Sequence, residues 1–511
     1  MQISIGNKWF FKICALSSLV LLNSLMPTFA GSSHQGQKPN VLFISIDDLR
    51  ANLGAYGDKH IITPNLDKLA QQGRLFNRHY VQVPTCGPSR ASLLTGMNTK
   101  SRASINHGVL GKALYGTAEP NSPESFIHHF KQNGYYTVGM GKITHQAGGY
   151  YSPKDKNGKS LKAELELPHS WSNYVKVKWP WKGSVLHTYA EGISRDVKTT
   201  PPFEMLDLQD TDYPDGLLAE QAVAELAKRA KSKQPFFMAV GFFKPHLPFN
   251  APKKYWDLYQ REYIPLSPNP HAPKGVDKRF LHDSGEFFSK YYSPAEERAK
   301  AQENKKMSDK YARQVLHANY ASVSYVDAQV GKVLNKLKQT GLDKNTIVVV
   351  WGDHGWHLGD HTIWGKHSSF DRALNSAFLV KTPDMKYAGV TTDGLVASID
   401  IYPTLCDLAG LEKPQGIEGQ SFVQLLTDPQ AQGKDAVMSY WRDILSLRTD
   451  KYRLAVFDDG HSQHKMLFDH DEDPNETTNV AAQNPKVVAK LLAKIKQLNN
   501  GFLPALDLTK E

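Results

Sequence analysis

The sequence predicts an α/β fold in which a mainly parallel sheet is sandwiched by helices and followed by a smaller C-terminal α+β domain. Two apolar runs rich in β-branched residues, Asn40–Ile46 and residues 346–351, are typical of central parallel strands. Segments with apolar residues at helical spacing alternate with such strand-like runs along the chain. After about residue 430 the alternation gives way to short strand-like pieces and one closing helix, which indicates the second domain.

Each element has its own local signal. Residues 63–73 predict a helix that Thr63 caps and Pro64 begins, because proline suits the first helical position. Residues 216–230 repeat small or apolar side chains every fourth position, and residues 311–341 continue such a pattern over a longer helix. The remaining predicted strands are residues 135–140, 235–242, 436–441, 445–457 and 464–470, and the closing helix covers residues 485–500.

The first thirty residues differ from the rest of the chain. A basic stretch precedes a short apolar run that ends at small Ala30, as in a cleaved secretory signal. Serine and asparagine interrupt the run, so a membrane anchor is the weaker interpretation and no stable membrane insertion is expected. We therefore predict a periplasmic or secreted protein with a signal peptide at 1–30, a main domain at 31–430 and a C-terminal domain at 431–511.

The chain carries a formal net charge of +10, which suits an anionic partner. For an exported protein, an acidic polysaccharide fits this charge better than a nucleic acid does. A solvated basic face without any partner would give the same charge. Two basic, aromatic stretches without clear periodicity, about residues 150–200 and 265–305, are typical of functional loops or flaps.

Few cysteines are present, and Cys14 would leave with the signal peptide. Cys86 and Cys406 alone do not make a disulfide scaffold. The stretch VPTCGPSRASLLTG predicts a short helix that begins near Cys86, because Pro88 suits a first turn. The backbone N–H groups at such a helix start favour an anion, and Arg90 about one turn along can fork onto an oxyanion. A small buried thiol without reactivity is the alternative.

Acidic residues follow two of the predicted strands. Asp47 and Asp48 come directly after the first strand, and Asp353 and His354 come directly after the strand at 346–351. Because ligands of open α/β sheets bind beyond the carboxyl ends of the strands, we expect these side chains to form a metal site. Oxygen-rich ligation favours Ca²⁺, and less strongly Mg²⁺, over Zn²⁺. The alternative for each pair taken alone is a cap of a helix or turn.

The stretch CGPSRASLLTG resembles the signature of the type I, formylglycine-dependent sulfatases, C-x-P-S-R-A followed by L-x-T-G. The resemblance covers nearly the whole mature chain, and the segments GKITH, FKPHLPF and DHGWHLGDHTIWGKHSSFD are most similar to the iduronate-2-sulfatase branch. It implies an alkaline-phosphatase-like fold and a sulfuric ester hydrolase. It also implies that the cysteine is converted to formylglycine by a formylglycine-generating enzyme or an anaerobic sulfatase-maturating enzyme.

The resemblance further implies roles for individual residues. The positions that match the family's calcium ligands are Asp47, Asp48, Asp353 and His354, with modified Cys86 completing the shell. The positions that match its other catalytic groups are Arg90, which steadies the nucleophile, Lys142, which binds the modified residue or sulfate, His145, which helps protons leave the hydrated aldehyde, and His246 and Lys366, which hold sulfate and the leaving oxygen. Because Cys86 is needed as nucleophile, we expect no disulfide with Cys406, which is predicted to lie in a buried helix.

The resemblance implies an exported enzyme that hydrolyses sulfate esters on sugars of a sulfated polysaccharide or its oligosaccharides. The substrate would be an algal polysaccharide such as ulvan, or a glycosaminoglycan. Two alternatives stay open, a phosphodiesterase or phosphonate hydrolase of the same fold and a non-catalytic polysaccharide-binding protein. The intact cysteine motif weighs against the first, and the undamaged metal and cation residues weigh against the second. His357, His361 and His367 lie close together in one segment, where lining of the substrate pocket is one interpretation, but a surface position is the default and they are not counted among the site residues.

Overall fold

The computed structural model describes residues 38–99, 125–152, 157–177, 185–458 and 462–499, together with Pro180. The predicted signal peptide lies outside these described residues. Among the helices that are described, none combines the length and the apolar character needed to cross a membrane.

A sheet of eight strands forms the centre of the described chain. In chain order its strands are β1 (Asn40–Ile46), β2 (Arg74–Phe76), β3 (Tyr136–Gly141), β4 (Asn173–Tyr174), β5 (Phe236–Phe242), β6 (Thr346–Gly352), β7 (Phe378–Lys381) and β8 (Thr391–Thr392). Their spatial order is β8-β2-β7-β6-β1-β5-β3-β4, and within this sheet only β7 runs antiparallel to its neighbours. The prediction of a mainly parallel sheet is confirmed.

Helices lie on both faces of this sheet. The described α-helices are α1 (Pro64–Gln72), α2 (Cys86–Thr95), α3 (Phe126–Gln132), α4 (Pro214–Arg229), α5 (Lys253–Trp256), α6 (Gly285–Lys290), α7 (Ala295–Gln302), α8 (Asp309–Gln339), α9 (Asp371–Leu374), α10 (Ile401–Ala409), α11 (Val423–Thr427) and α12 (Pro485–Leu498). The longest, α8, ends two residues before the predicted Gly341.

Successive residues of β1 point to opposite faces of the sheet, as the strand period requires. Leu42 and Ile44 belong to a buried apolar cluster that also contains side chains of α4 and α8. Val41 and Phe43 belong to a second cluster that contains side chains of α2, α3 and α10. Because both faces of β1 are buried, its sequence is apolar throughout instead of alternating.

The start of α1 differs from the prediction. The Thr63 side chain does not cap the helix, because its hydroxyl donates to Asp67 Oδ1 at 3.0 Å and accepts from the backbone N–H of Gly54. The free backbone N–H groups of Asn65 and Leu66 instead donate to the carboxylate of Asp327, at 3.2 and 2.8 Å. This carboxylate comes from α8, so no local pattern around α1 could have revealed it.

The C-terminal part of the chain is an antiparallel sheet with one helix, which confirms the predicted α+β character. Its four strands are β9 (Ala436–Trp441), β10 (Ile444–Thr449), β11 (Tyr452–Asp458) and β12 (Gln463–Asp469), paired in that order. Leu447, Leu454 and Leu467 pack with Ile495 of α12. The predicted strand at 445–457 is in fact a hairpin. The boundary between residues 430 and 431 stays a prediction.

Candidate active site

Both acidic pairs lie at the carboxyl edge of the central sheet. β1 and β6 are parallel neighbours whose last residues, Ile46 and Gly352, are partners in the ladder. The residues that follow therefore leave the sheet side by side. The side chains that meet there, each at most 2% exposed, are those of Asp47, Asp48, Asp353 and His354. The chain bends sharply at Asp48, whose φ of 61° is left-handed, and the Asp48 backbone N–H donates to Asp353 Oδ1 at 2.9 Å.

The imidazole of His354 is oriented as a ligand. Its Nδ1 lies 3.0 Å from the carbonyl oxygen of Gly355, so Nδ1 carries the hydrogen and donates it there. The Nε2 lone pair then faces the cluster, 3.3 Å from both Cys86 Sγ and Asp48 Oδ1 and 3.6 Å from Asp353 Oδ1. A backbone carbonyl that fixes one ring nitrogen is typical of metal-binding histidines.

The donor set fits a divalent cation. One ligand atom from each of Asp47, Cys86, Asp353 and His354 lies within 4.8 Å of all the others. Asp48 Oδ2 is buried without a hydrogen-bond partner among the described residues. A buried anionic oxygen without a partner is costly, and a cation would remove that cost.

Two buried cations offset the carboxylates in the protein itself. Arg90 Nε lies 3.1 Å from Asp353 Oδ2, and its Nη2 lies 3.2 Å from Asp47 Oδ1. Lys142 Nζ forms an ion pair with Asp47 Oδ2. Burial alone would raise the pKa of Asp47, but Lys142 above all, with His246 and Arg90, holds that pKa well below its usual range.

The structure gives Arg90 a different contact from the one its spacing predicts. Its guanidinium spans the carboxylates that follow β1 and β6, and a third bond runs to Ser45 Oγ at 3.0 Å. The side chain is fully buried and does not line the cavity described below. Arg90 therefore links Asp47 and Asp353 through hydrogen bonds and does not reach into the cavity, where an oxyanion would bind.

Cys86 is the first residue of α2 and is only 2% exposed. Its Sγ lies 3.3 Å from His354 Nε2 and 3.4 Å from Lys366 Nζ. Cys406 is buried in α10, and no disulfide joins it to Cys86 in the described part of the chain.

Lys142 and His145 follow the end of β3. Burial works against the charged form of Lys142, but the Asp47 carboxylate raises its pKa above the usual value, so the ammonium stays charged. Lys366 behaves in the same way, because Asp48 at 3.0 Å raises its pKa well above the usual value. A charged lysine therefore lies 3.4 Å from Cys86 Sγ, and a second one lines the same cavity.

A cavity of about 680 Å³ opens above this cluster. The predicted residues that line it are Cys86, Lys142, His145, His246 and Lys366. The other four predicted metal ligands do not line it. The cavity thus brings together the thiol at the start of α2 and side chains from three separate loops.

Glu286 is the most consequential lining residue that the sequence did not reveal. Its Oε1 lies 3.3 Å from His246 Nε2, and its Oε2 lies 3.5 Å from Lys366 Nζ. His246 Nδ1 lies 2.7 Å from the carbonyl oxygen of Leu247, so that nitrogen is taken up by the backbone. The Glu286 carboxylate therefore bridges His246 Nε2 and Lys366 Nζ.

Other missed lining residues come from the two aperiodic stretches. His187 and Arg195 lie in the first stretch, and Lys290 lies with Glu286 on α6 in the second. Burial, together with His246, lowers the pKa of His187 to about 2, so its ring stays neutral. These stretches contain no motif that identifies a pocket residue, because tertiary folding alone brings them to the cavity.

The three histidines that were assigned to the surface are not there. His357 and His361 are buried, at 0% and 1% exposure. His357 Nδ1 lies 3.1 Å from the carbonyl oxygen of Asp360 in the loop after β6, and His361 Nε2 lies 2.7 Å from the side-chain nitrogen of Asn269 in the second aperiodic stretch. His367 lines the cavity and stacks on Trp441 at 4.7 Å between ring centroids. The default assignment was wrong because this loop is packed beneath the C-terminal sheet.

The central sheet with its helices and C-terminal domain has the alkaline-phosphatase-like fold that the sequence predicts. The phosphonate monoester hydrolase from Silicibacter pomeroyi superposes with a TM-score of 0.69 over 90% of this chain and 96% of that chain. The two sequences are 24% identical, so this similarity concerns the fold.

The family model Sulfatase matches residues 39–411, and the model N-sulphoglucosamine sulphohydrolase, C-terminal, matches residues 359–501. The chain belongs to the sulfatase family, and its predicted class, a sulfuric ester hydrolase, is confirmed. It is 31% identical to iduronate 2-sulfatase of Mus musculus, over 76% of this chain and 72% of that protein. It is 28% identical to an ulvan-active sulfatase of Formosa agariphila, over 91% of this chain and 82% of that protein.

Proposed function

We propose that the protein hydrolyses sulfate esters on sugar residues of a sulfated polysaccharide or its oligosaccharides, with Cys86 converted to formylglycine. One observation carries this proposal. The side chain at position 86 stands at the base of the cavity, between an imidazole that is oriented as a metal ligand and the ammonium of Lys366. A nucleophile at this point would meet a sulfate group held by cations.

Ca²⁺ would be held by Asp47, Asp48, Asp353 and His354, with converted Cys86 completing the shell. Mg²⁺ suits so many protein ligands less well, because it usually keeps several of its waters. When bound, the cation supplies positive charge that polarises sulfate oxygens, and formylglycine supplies a hydrated aldehyde as nucleophile. Arg90 contributes by keeping the carboxylates of the two strand ends in position.

The chain's own cations act on the sulfate. Lys142 and Lys366 stay charged and would bind the sulfate oxygens as negative charge develops in the transition state. His246 offers the cavity only its Nε2, which would deliver a proton to the leaving sugar oxygen. His145 would accept a proton from the hydrated side chain at position 86 when sulfate is released. Without protonation, a sugar alkoxide is a poor leaving group.

The substrate that fits best is a 2-O-sulfated uronic acid or a similar acidic sugar. Arg195 and Lys290 line the cavity in addition to the two lysines that bind sulfate. Their positive charge suits a second anion on the same sugar, such as a carboxylate. The similarity to an iduronate 2-sulfatase and to an ulvan-active sulfatase supports this substrate class.

We propose export by the signal peptide at 1–30 to the periplasm or the exterior. The chain would need a formylglycine-generating enzyme or an anaerobic sulfatase-maturating enzyme as partner. We also retain the division into a catalytic domain at 31–430 and a C-terminal domain at 431–511 as a proposal. No nucleic acid partner is proposed.

Sulfate release from defined oligosaccharides tests this function. We expect matured protein to release sulfate from a 2-O-sulfated uronate disaccharide and Cys86→Ala to release none. Arg195→Ala should raise KM for that disaccharide but not for a neutral sugar sulfate. Equal activity of Cys86→Ala would refute the proposed nucleophile. Efficient hydrolysis of a phosphonate monoester, with no sulfate release, would favour the phosphonate hydrolase alternative.

A further inference from the structure

A second, larger groove lies along α12 in the C-terminal part of the chain. It consists of two adjoining cavities of about 1030 and 690 Å³. Both are lined by the segment at 432–435 and by Lys494 and Gln497 of α12, so the two cavities adjoin at these residues and are treated as one depression. None of its lining residues lines the catalytic cavity. We call this depression the α12 groove.

The charged lining of the α12 groove consists of five basic side chains and four carboxylates, and one of each, Arg78 and Asp450, form an ion pair. The basic side chains are Arg78, Lys434, Lys451, Lys490 and Lys494, and the carboxylates are those of Asp393, Asp435, Asp450 and Glu418. Lys490 and Lys494 lie one turn apart on α12. Lys490 makes no ion pair with the described residues, and Lys494 reaches Asp435 only at 3.5 Å across an exposed surface. Such exposed pairs are weak, so both ammonium groups are available to an anion.

Amide and aromatic side chains also line the α12 groove. Amides that line the groove are Gln82, Asn98, Gln420, Gln424, Gln430 and Gln432. Tyr440 and Tyr452 add aromatic rings. Amides that both donate and accept hydrogen bonds match sugar hydroxyls, and aromatic rings offer an apolar surface for a sugar face.

Gln82 gives independent evidence that a ligand belongs in this groove. It is only 1% exposed, yet its side-chain oxygen and nitrogen have no hydrogen-bond partner among the described residues. A buried amide without partners is costly, and it lines the groove where a bound hydroxyl could satisfy it.

We propose that the α12 groove is a second binding site, separate from the catalytic cavity, for a sulfated polysaccharide chain. The lysines of α12 bind its sulfate groups, and the amides bind its hydroxyls. The ligand class rests on the proposed function, whereas the site does not use the chemistry of Cys86. Its role is to hold the polymer near the enzyme while the catalytic cavity acts on one sugar.

Binding to immobilised ulvan, with the full chain carrying Cys86→Ala, tests the site without hydrolysis. We expect Lys490→Glu/Lys494→Glu to weaken binding by about tenfold, because two attractive contacts become repulsive. The matched control is Lys486→Glu/Lys496→Glu, which makes the same charge change on the same helix at residues that do not line the groove. The control should bind like the parent protein.

In the matured enzyme, the groove variant should raise KM for the polymer and leave kcat/KM for a sulfated disaccharide unchanged. Equal losses in both double variants would overturn the proposal, because net charge alone would explain them. Unchanged binding by the groove variant, or no binding by the parent protein, would overturn it as well. If the protein bound ulvan through the groove but released no sulfate, the proposed function would be refuted and the proposed binding site would still stand.

Discussion

At the scale of single residues, the acidic side chains at the strand ends can be buried because buried cations lie next to them. Burying the charged carboxylate of Asp47, which is 0% exposed, would destabilise the folded state if it had no partner. Its ion pairs with Lys142 and Arg90 compensate for this cost. Asp48 differs, because its Oδ2 has no hydrogen-bond partner among the described residues and lies 4.0 Å from His246 Nε2. This difference marks Asp48 as the carboxylate whose role depends most on a bound cation.

Asp48→Asn should therefore lower calcium affinity without disturbing the link formed by Arg90. We expect the melting temperature of the wild-type protein to rise with calcium, since about 2.7 kcal/mol is gained at a hundredfold excess over Kd. The variant should need much more calcium for the same shift. Differential scanning calorimetry across a calcium series measures this. Identical calcium responses in the two proteins would remove Asp48 from the metal site.

Glu286→Gln should reduce kcat for sugar sulfates by about 10²-fold, because Glu286 positions His246 for proton delivery. The loss should be much smaller with 4-nitrophenyl sulfate, whose leaving group needs no proton. Steady-state kinetics on both substrates separate the two roles. The same loss on both would show that Glu286 acts on sulfate binding through Lys366 instead.

At the scale of elements, the strand ends could be predicted and the loops could not. Asp47 and Asp353 follow apolar runs whose composition identifies buried parallel strands, and sheet geometry places their ends together. Glu286 and Arg195 come from stretches without periodicity, so only the folded chain shows that they line the cavity. The predicted Thr63 cap failed for the same reason, because Asp327 reaches α1 from a distant helix.

The contact between α8 and α1 predicts a pH effect on stability. Burial raises the pKa of Asp327 from 3.8 to about 6, even though it accepts backbone hydrogen bonds from α1. The folded state therefore binds the proton more tightly than the unfolded chain does. Its contribution to stability is complete below about pH 4 and is lost as the pH rises through about 6, by about 3 kcal/mol at most.

Asp327→Asn should remove this dependence, since an amide does not titrate. The difference in unfolding free energy between wild type and variant should fall from pH 4 to pH 7, as measured by urea denaturation at each pH. A constant difference across that range would contradict the raised pKa.

At the scale of the whole molecule, the C-terminal sheet supports the catalytic loop. Arg453 of β11 lies 2.6 Å from Asp371 and 2.7 Å from Glu476, and all three groups are largely buried. Asp371 follows Lys366 by five residues. This ion-pair network therefore links the sheet to the loop that carries a cavity lysine.

Arg453→Leu should lower the free energy of unfolding by about 3–5 kcal/mol, because two carboxylates lose their shared buried partner. Sulfatase activity should fall as well, since the loop of Lys366 loses support. Lys253→Gln, which removes an exposed ion pair at a residue that lines neither the catalytic cavity nor the α12 groove, should leave both stability and activity as in wild type. Chemical denaturation and sulfate release measure the two effects. If the two variants had equal stability and equal activity, the ion-pair network would not support the loop of Lys366.

The mass of the peptide that carries residue 86, taken from protein secreted by its own host, tests the central claim most directly. Conversion of the thiol to an aldehyde predicts a loss of about 18 mass units relative to cysteine. That loss, together with sulfate release by the same preparation, is the result the proposed function requires. An unmodified cysteine in a preparation that still releases sulfate would contradict it.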